Sequence, residues 1–141
     1  MISIAIVIAM SLEVPDAKGV RNYRPMPKDE AVEIVALCTR TKISEYCAGI
    51  LATLSFRESG NLFGAVHDGG KGCGAFGLLC TFPHATWREQ VESAWAIVVK
   101  SAKTCKEPLA MYASGSCDRG QKLAREYLDI AKAIAKKYEE P

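Results

Sequence analysis

Six cysteines in a chain of 141 residues fall into three close pairs: Cys38 and Cys47, Cys73 and Cys80, Cys105 and Cys117. An even count at this density points to disulfides and an oxidising compartment, and so to a fold stapled locally. Six cysteines allow about 15 connectivities, and spacing does not choose among them. Neighbour pairing is the simplest guess. Reduced buried thiols are a second reading. A zinc site is a third, although the chain has no Cys-x-x-Cys, and His67 and His84 lack the spacing of a zinc finger.

The length suits one domain around one core, because two cores would each be too small. Hydrophobic residues make up 49% and charged residues 24%, which excludes a largely disordered chain. The net charge of +2 is only weakly basic. There is no run of five or more Lys and Arg and no nucleic-acid motif, so no nucleic-acid partner is expected.

From Ile2 to Met10 only Ser3 interrupts an apolar run. It is too short to cross a bilayer, and no stable membrane insertion is expected. Its length suits the core of a secretory signal, but it lacks a basic start and a clean small-x-small cleavage site. Two readings fit equally: a signal remnant, or an N-terminal element packed on the domain. Glu13 to Met26, with Pro15, Gly19 and Pro25, reads as an arm, so residues 1–26 form an N-terminal segment and residues 27–141 the globular domain.

That domain reads as helical. Pro27 suits a first turn, with Asp29 and Glu30 favouring the positive helix end and Ala31, Ile34, Val35 and Cys38 forming a stripe. A second helix runs from about Ser44 to Phe56. Seven glycines at positions 60, 64, 69, 70, 72, 74 and 77 then predict a loop or small irregular hairpin of the kind that lines a cleft. They match neither a P-loop nor a dinucleotide fingerprint. Thr86 and Glu89 form a capping-box signature for a long helix with Trp87, Val91, Trp95, Val98 and Ala102 inward. A short helix spans Pro108 to Tyr112. Asp118 with Gln121 caps a last one, with Leu123, Tyr127, Ile130, Ile134 and Tyr138 on one face. The fold class is therefore mainly α.

Within this frame Glu58 stands out. The spacing of Ile43, Cys47, Ile50, Leu54 and Glu58 puts its carboxylate in line with core-facing side chains. Lost hydration and the negative end of a helix both favour the protonated form. A carboxylic acid neutral near pH 7 is what a glycosidase needs as its proton donor.

Three segments carry a resemblance. Arg57-Glu58-Ser59-Gly60, then Gly74-Ala75-Phe76-Gly77-Leu78-Leu79-Cys80-Thr81-Phe82-Pro83, then Met111-Tyr112-Ala113-Ser114-Gly115 stand in order. They resemble the three motifs of the lysozyme-like lytic transglycosylases, a family similar in fold to goose-type lysozyme: Glu-Ser, Gly-x-x-Gly-Leu-Met-Gln with a nearby proline, and Ala-Tyr-Asn-x-Gly. The resemblance covers roughly Pro27 to Tyr138. It implies a lysozyme-like single domain with the glycine-rich stretch beside the cleft. It also implies cleavage of the β-1,4 bond between N-acetylmuramic acid and N-acetylglucosamine in peptidoglycan, with Glu58 as acid and then base. No metal or organic cofactor is implied. The implied partner is the peptidoglycan glycan strand, met by a monomer exported to the periplasm, wall or medium, or carried by a phage. Substrate contacts would fall to Ser59, Gly77, Leu78 and Tyr112, with the Tyr112 hydroxyl orienting Glu58 or the sugar's N-acetyl group.

The residues leave alternatives beside these roles. Ser59 before Gly60 is equally a helix C-cap, and Tyr112 is equally a core-edge tyrosine. Asp68 next to Gly69 and Gly70 reads as a turn residue, or as the second carboxylate with which a lysozyme would activate water. His67 reads as exposed loop. Cys80 stands where the family has glutamine and Ala113 where it has asparagine, so two sugar-binding amides are missing. A non-catalytic wall-binding module is the reading that those losses support.

Overall fold

A computed structural model describes residues 2–16, 24–41 and 46–140. In those residues the chain folds into six α-helices and one small sheet: α1 (Ile4–Leu12), α2 (Lys28–Arg40), α3 (Cys47–Ser59), β1 (Val66–His67), β2 (Gly72–Cys73), β3 (Leu78–Leu79), α4 (Trp87–Thr104), α5 (Ala110–Ser114) and α6 (Gln121–Lys137). The mainly α expectation holds. Ile43 and the expected helix start at Ser44 lie outside the described residues, as do residues 17–23 of the arm.

Helix α3 is central because it is apolar on every side: each residue from Cys47 to Phe56 is buried. Small residues let neighbours close on it. A side chain at Gly49 would put its Cβ 2.7 Å from the Ala131 carbonyl oxygen of α6. The first turn of α3 is capped from far along the chain, where the Glu140 carboxylate accepts from the Ala48 N–H (2.5 Å) and the Gly49 N–H (3.0 Å).

The apolar N-terminal run forms α1, with Val7 and Met10 fully buried and Val14 nearly so. These side chains belong to the same core as α2, α3, α4 and α6. In the structure, then, this run packs on the domain. Glu13 closes α1 onto α6 by accepting from the Lys137 ammonium and the Tyr138 hydroxyl, each at 2.6 Å. Among the described residues no helix is long and apolar enough to cross a membrane.

Helix α2 buries Ala31, Ile34 and Leu37. It also buries Glu30 completely, so this residue is no solvated partner of the helix dipole. Helix α4 is capped as expected, the Glu89 N–H donating to the Thr86 hydroxyl at 3.1 Å. Val91, Trp95 and Val98 face the core while Ala102 is exposed. The expected Asp118 cap on α6 does not form. Gly120, at φ 69°, precedes the helix, and the Gln121 amide donates to the Cys117 carbonyl instead. The buried face of α6 is Ala124, Tyr127, Ala131, Ile134 and Ala135, which leaves Leu123 exposed. Alanine counts weakly in an apolar stripe, which is why a stripe read through leucine falls off that face.

The glycine-rich stretch is a three-stranded antiparallel sheet in the order β1-β2-β3. Val66 pairs with Cys73 and Cys73 with Leu78; His67 pairs with Gly72 and Gly72 with Leu79. This is one strand more than a hairpin. All six cysteines are bonded, Cys38 to Cys47, Cys73 to Cys80 and Cys105 to Cys117, so neighbour pairing is observed and the thiol and zinc readings fall. Three disulfides point to an exported protein.

Candidate active site

Helix α3 ends in a fixed turn that sets the position of Glu58. Gly60 (φ 69°) and Asn61 (φ 65°) are both left-handed, a conformation open to glycine and tolerated by asparagine. The Gly60 N–H donates to the Phe56 carbonyl (2.7 Å) and the Asn61 N–H to that of Ser55 (3.2 Å). The buried Asn61 amide donates to the Arg24 carbonyl at 3.0 Å. Ser59 serves the same turn. Its hydroxyl donates to the Ser55 carbonyl (3.2 Å) and accepts from the Leu62 N–H (3.0 Å), the capping alternative rather than a free group.

The carboxyl group of Glu58 is pushed up to about 7, chiefly by burial. A hydrogen bond from the Tyr127 hydroxyl to Oε1 (3.3 Å) works against that rise, as does the Arg57 charge, while the negative charge of Asp68 adds to it. Near neutral pH the group is therefore poised between acid and base, the range a general acid–base catalyst uses.

The turn from Gly74 to Gly77 forms a wall against this carboxyl. Gly77 has φ +63°, and a Cβ there would lie 3.1 Å from Glu58 Oε2 and 3.4 Å from Glu58 Cβ. Only glycine allows both that backbone conformation and so close an approach. Leu78, half-buried at the wall's edge, begins β3 opposite Cys73. The half-buried Cys80 is bonded to Cys73 across the base of the wall.

Tyr112 supports the wall from behind. Its hydroxyl donates to the Phe76 carbonyl at 2.6 Å, so its proton is committed there rather than to Glu58. Its phenol pKa lies well above the usual value through burial, then through the charge of Glu58 and the neighbouring Tyr127. Tyr127 takes the orienting position. It sits on α6, under the Arg57 guanidinium (5.3 Å from the ring centre), and Arg57 pairs with Glu126 at 2.7 Å. Sequence reading counted Tyr127 only as core. The available signal was a phenol on a helix face otherwise made of alanines and isoleucine, since a buried hydroxyl needs a partner.

Asp68 is exposed and left-handed (φ 51°), leading the short turn Asp68–Gly70. It therefore has turn duty, yet its charge is felt at Glu58. His67 is half-buried rather than exposed, with Nε2 3.1 Å from the Gly74 carbonyl oxygen. A further residue that sequence reading passed over, Gln90 of α4, is buried and binds the N–H of Ala75 inside the wall at 2.9 Å.

The structure thus brings together Glu58, Gly77, Tyr127 and, through Phe76, Tyr112, with Asp68 acting by its field and Ser59 committed to the helix end. Set against family models, curated proteins and solved structures, the chain finds no match in any of the three.

Proposed function

We propose that the chain is a peptidoglycan-cleaving enzyme of the lytic transglycosylase type, with a lysozyme-like catalytic fold and Glu58 as its one essential acid–base group. The observation that carries this reading is a carboxyl group raised to about 7 at the end of a buried helix, with a phenol on one oxygen and a glycine turn against the other. In its protonated form Glu58 donates to the glycosidic oxygen as the bond from the muramic anomeric carbon breaks. The resulting carboxylate takes the proton of the muramic C6 hydroxyl, whose oxygen closes onto the anomeric carbon as a 1,6-anhydro ring. The sugar's own N-acetyl oxygen stabilises the positive charge between the two steps. The proton is returned, and no cofactor enters this scheme.

The glycan strand is the substrate, taken by a monomer outside the cytoplasm or delivered by a phage as an endolysin. One observation favours a second reading. Because the charge of Asp68 reaches Glu58, a lysozyme that hydrolyses the same bond would have a second carboxylate to activate water. Digestion of purified peptidoglycan, with the products analysed by mass spectrometry, separates the two: anhydromuramic ends mark the transglycosylase and reducing ends the hydrolase. Glu58→Gln is expected to abolish both. Lysis surviving that substitution overturns the role of Glu58, whereas a wild-type protein that binds peptidoglycan without cleaving it is a wall-binding module.

A further inference from the structure

Gln90 lies one turn into α4 and is only 3% exposed. Its amide binds three backbone groups from three separate segments. Oε1 accepts from the Ala75 N–H at 2.9 Å, and Nε2 donates to the Phe63 carbonyl at 3.0 Å and the His84 carbonyl at 3.0 Å. Phe63 belongs to the stretch that follows α3, Ala75 to the wall over Glu58, and His84 to the approach to α4. One side chain therefore joins the wall to the segments on either side of it in the sequence.

The fit is close. A Cβ at Gly74 (φ +84°) would come within 2.8 Å of the Gln90 amide carbon, so the wall rests directly on the amide. Three residues further on, at Gly77, the same turn rests on Glu58. The Gly77 N–H donates to the Gly74 carbonyl at 3.2 Å, so the two contact points are joined by a closed turn. Tyr112 fixes the Phe76 carbonyl between them.

We infer that Gln90 is a positioning residue: by clamping the Ala75 end of the turn to α4 and to the Phe63 and His84 carbonyls, it holds Gly77 against Glu58 and keeps water from that carboxyl. The role needs an amide. A carboxylate at position 90 would keep an acceptor for Ala75 but lose both donors, and an apolar side chain would leave the buried Ala75 N–H unpaired and release the part-buried Phe63 and His84 carbonyls. The inference rests on the proposed role of Glu58 for its effect on rate, but not for its effect on the carboxyl itself.

The charged and titratable groups facing Glu58 are Arg57 on its own helix, Asp68 in the turn, Tyr127 on α6 and Tyr112 on α5. None of them is altered by a change at Gln90. A shift in Glu58 after such a change then reports the wall and not a new charge.

The test is a carbon-13 titration of the glutamate carboxyls in the full chain, with the Glu58 signal assigned by its loss in Glu58→Gln. In folded Gln90→Met the Glu58 titration is expected to move about one unit downward, towards the ordinary carboxylate range, as water reaches the group. In turnover assays on peptidoglycan the alkaline limb of activity is expected to move down with it, and kcat at pH 7 to fall by about fivefold as the protonated fraction drops. A substitution that merely lowers stability would leave both the titration and the limb in place. An unchanged Glu58 titration in folded Gln90→Met overturns the inference. Where Gln90→Met does not fold, the neutral Gln90→Asn, whose amide is one methylene too short to reach all three backbone groups, is titrated under the same criterion. If the titration shifts but the wild-type protein cleaves no peptidoglycan, the functional proposal fails while the positioning role stands.

Discussion

Among the described residues Glu30 and Glu58 are both withdrawn from water, and they differ in what surrounds them. Glu30 in the first turn of α2 is fully buried and pushed up to about 8, chiefly by burial. Its oxygens make no well-formed hydrogen bond, and the Ser55 hydroxyl on α3 only partly offsets the loss of water. Glu58, three residues beyond Ser55 on α3, is half-buried and pushed up to about 7, with Tyr127 as donor and the Gly77 turn against it. Burial alone makes a neutral acid. A phenol, an opening and a backbone wall are what make an acid that can meet a substrate.

Glu58→Gln against Glu30→Gln gives the sharpest break in that comparison. The first is expected to lower peptidoglycan lysis by roughly a hundredfold to ten-thousandfold, the range for loss of a positioned acid–base group, and the second to leave lysis close to wild type. Equal losses in a turbidity assay would mean that the two sites do not differ as described.

Stability should reverse the order. The pKa of Glu30 in the fold is raised above its unfolded value of 4.5, so the folded state holds a proton that the unfolded chain gives up. That contribution is complete below pH 4.5 and is lost as pH rises to about 8, by roughly 5 kcal/mol over the whole window. Glu30→Gln should therefore flatten the fall of Tm between those limits, whereas Glu58→Gln removes only the smaller part that ends near pH 7. Melting curves of both variants across this range check the prediction, and a wild-type slope retained in Glu30→Gln would refute it.

The wall supplies a smaller effect. Replacing Cys73 and Cys80 together by serine opens a short loop, with an expected loss of about 2–3 kcal/mol in denaturant unfolding and lower activity. Smallest is Tyr127→Phe. Its hydroxyl lowers the pKa of Glu58, so its removal should move the alkaline limb of activity upward by about one unit or less. A downward shift would show that Tyr127 acts in some other way.

The same contrast shows what the sequence made legible. Periodicity located α2, α3 and α4 because leucine, isoleucine and tryptophan mark a buried face strongly, and neighbouring cysteines lay close enough in the chain to bond. The face of α6 was misread because three of its buried residues are alanines. The loop-or-hairpin reading of the glycine-rich stretch missed the third strand because each strand has two residues, too few for any alternation to register. Glu30 looked like a surface acid near a helix start, since local pattern carries no information about a helix packing across it. Gln90 and Tyr127 were hidden for a related reason. Their partners, Ala75 and Glu58, lie 15 and 69 residues away, and only the fold brings them together.

The carboxylate of Glu140 on the first turn of α3 has a consequence for the order in which the molecule can be completed. The opening N–H groups of a buried helix need partners, and two of those in α3 find theirs 92 and 91 residues later in the chain. During synthesis α3 emerges well before this carboxylate. The helix bearing Glu58 thus waits, with its amino end uncapped, until the chain has been made through residue 140. Completion of the candidate active site is in this sense governed by a residue distant in the chain rather than by the segment that contains it.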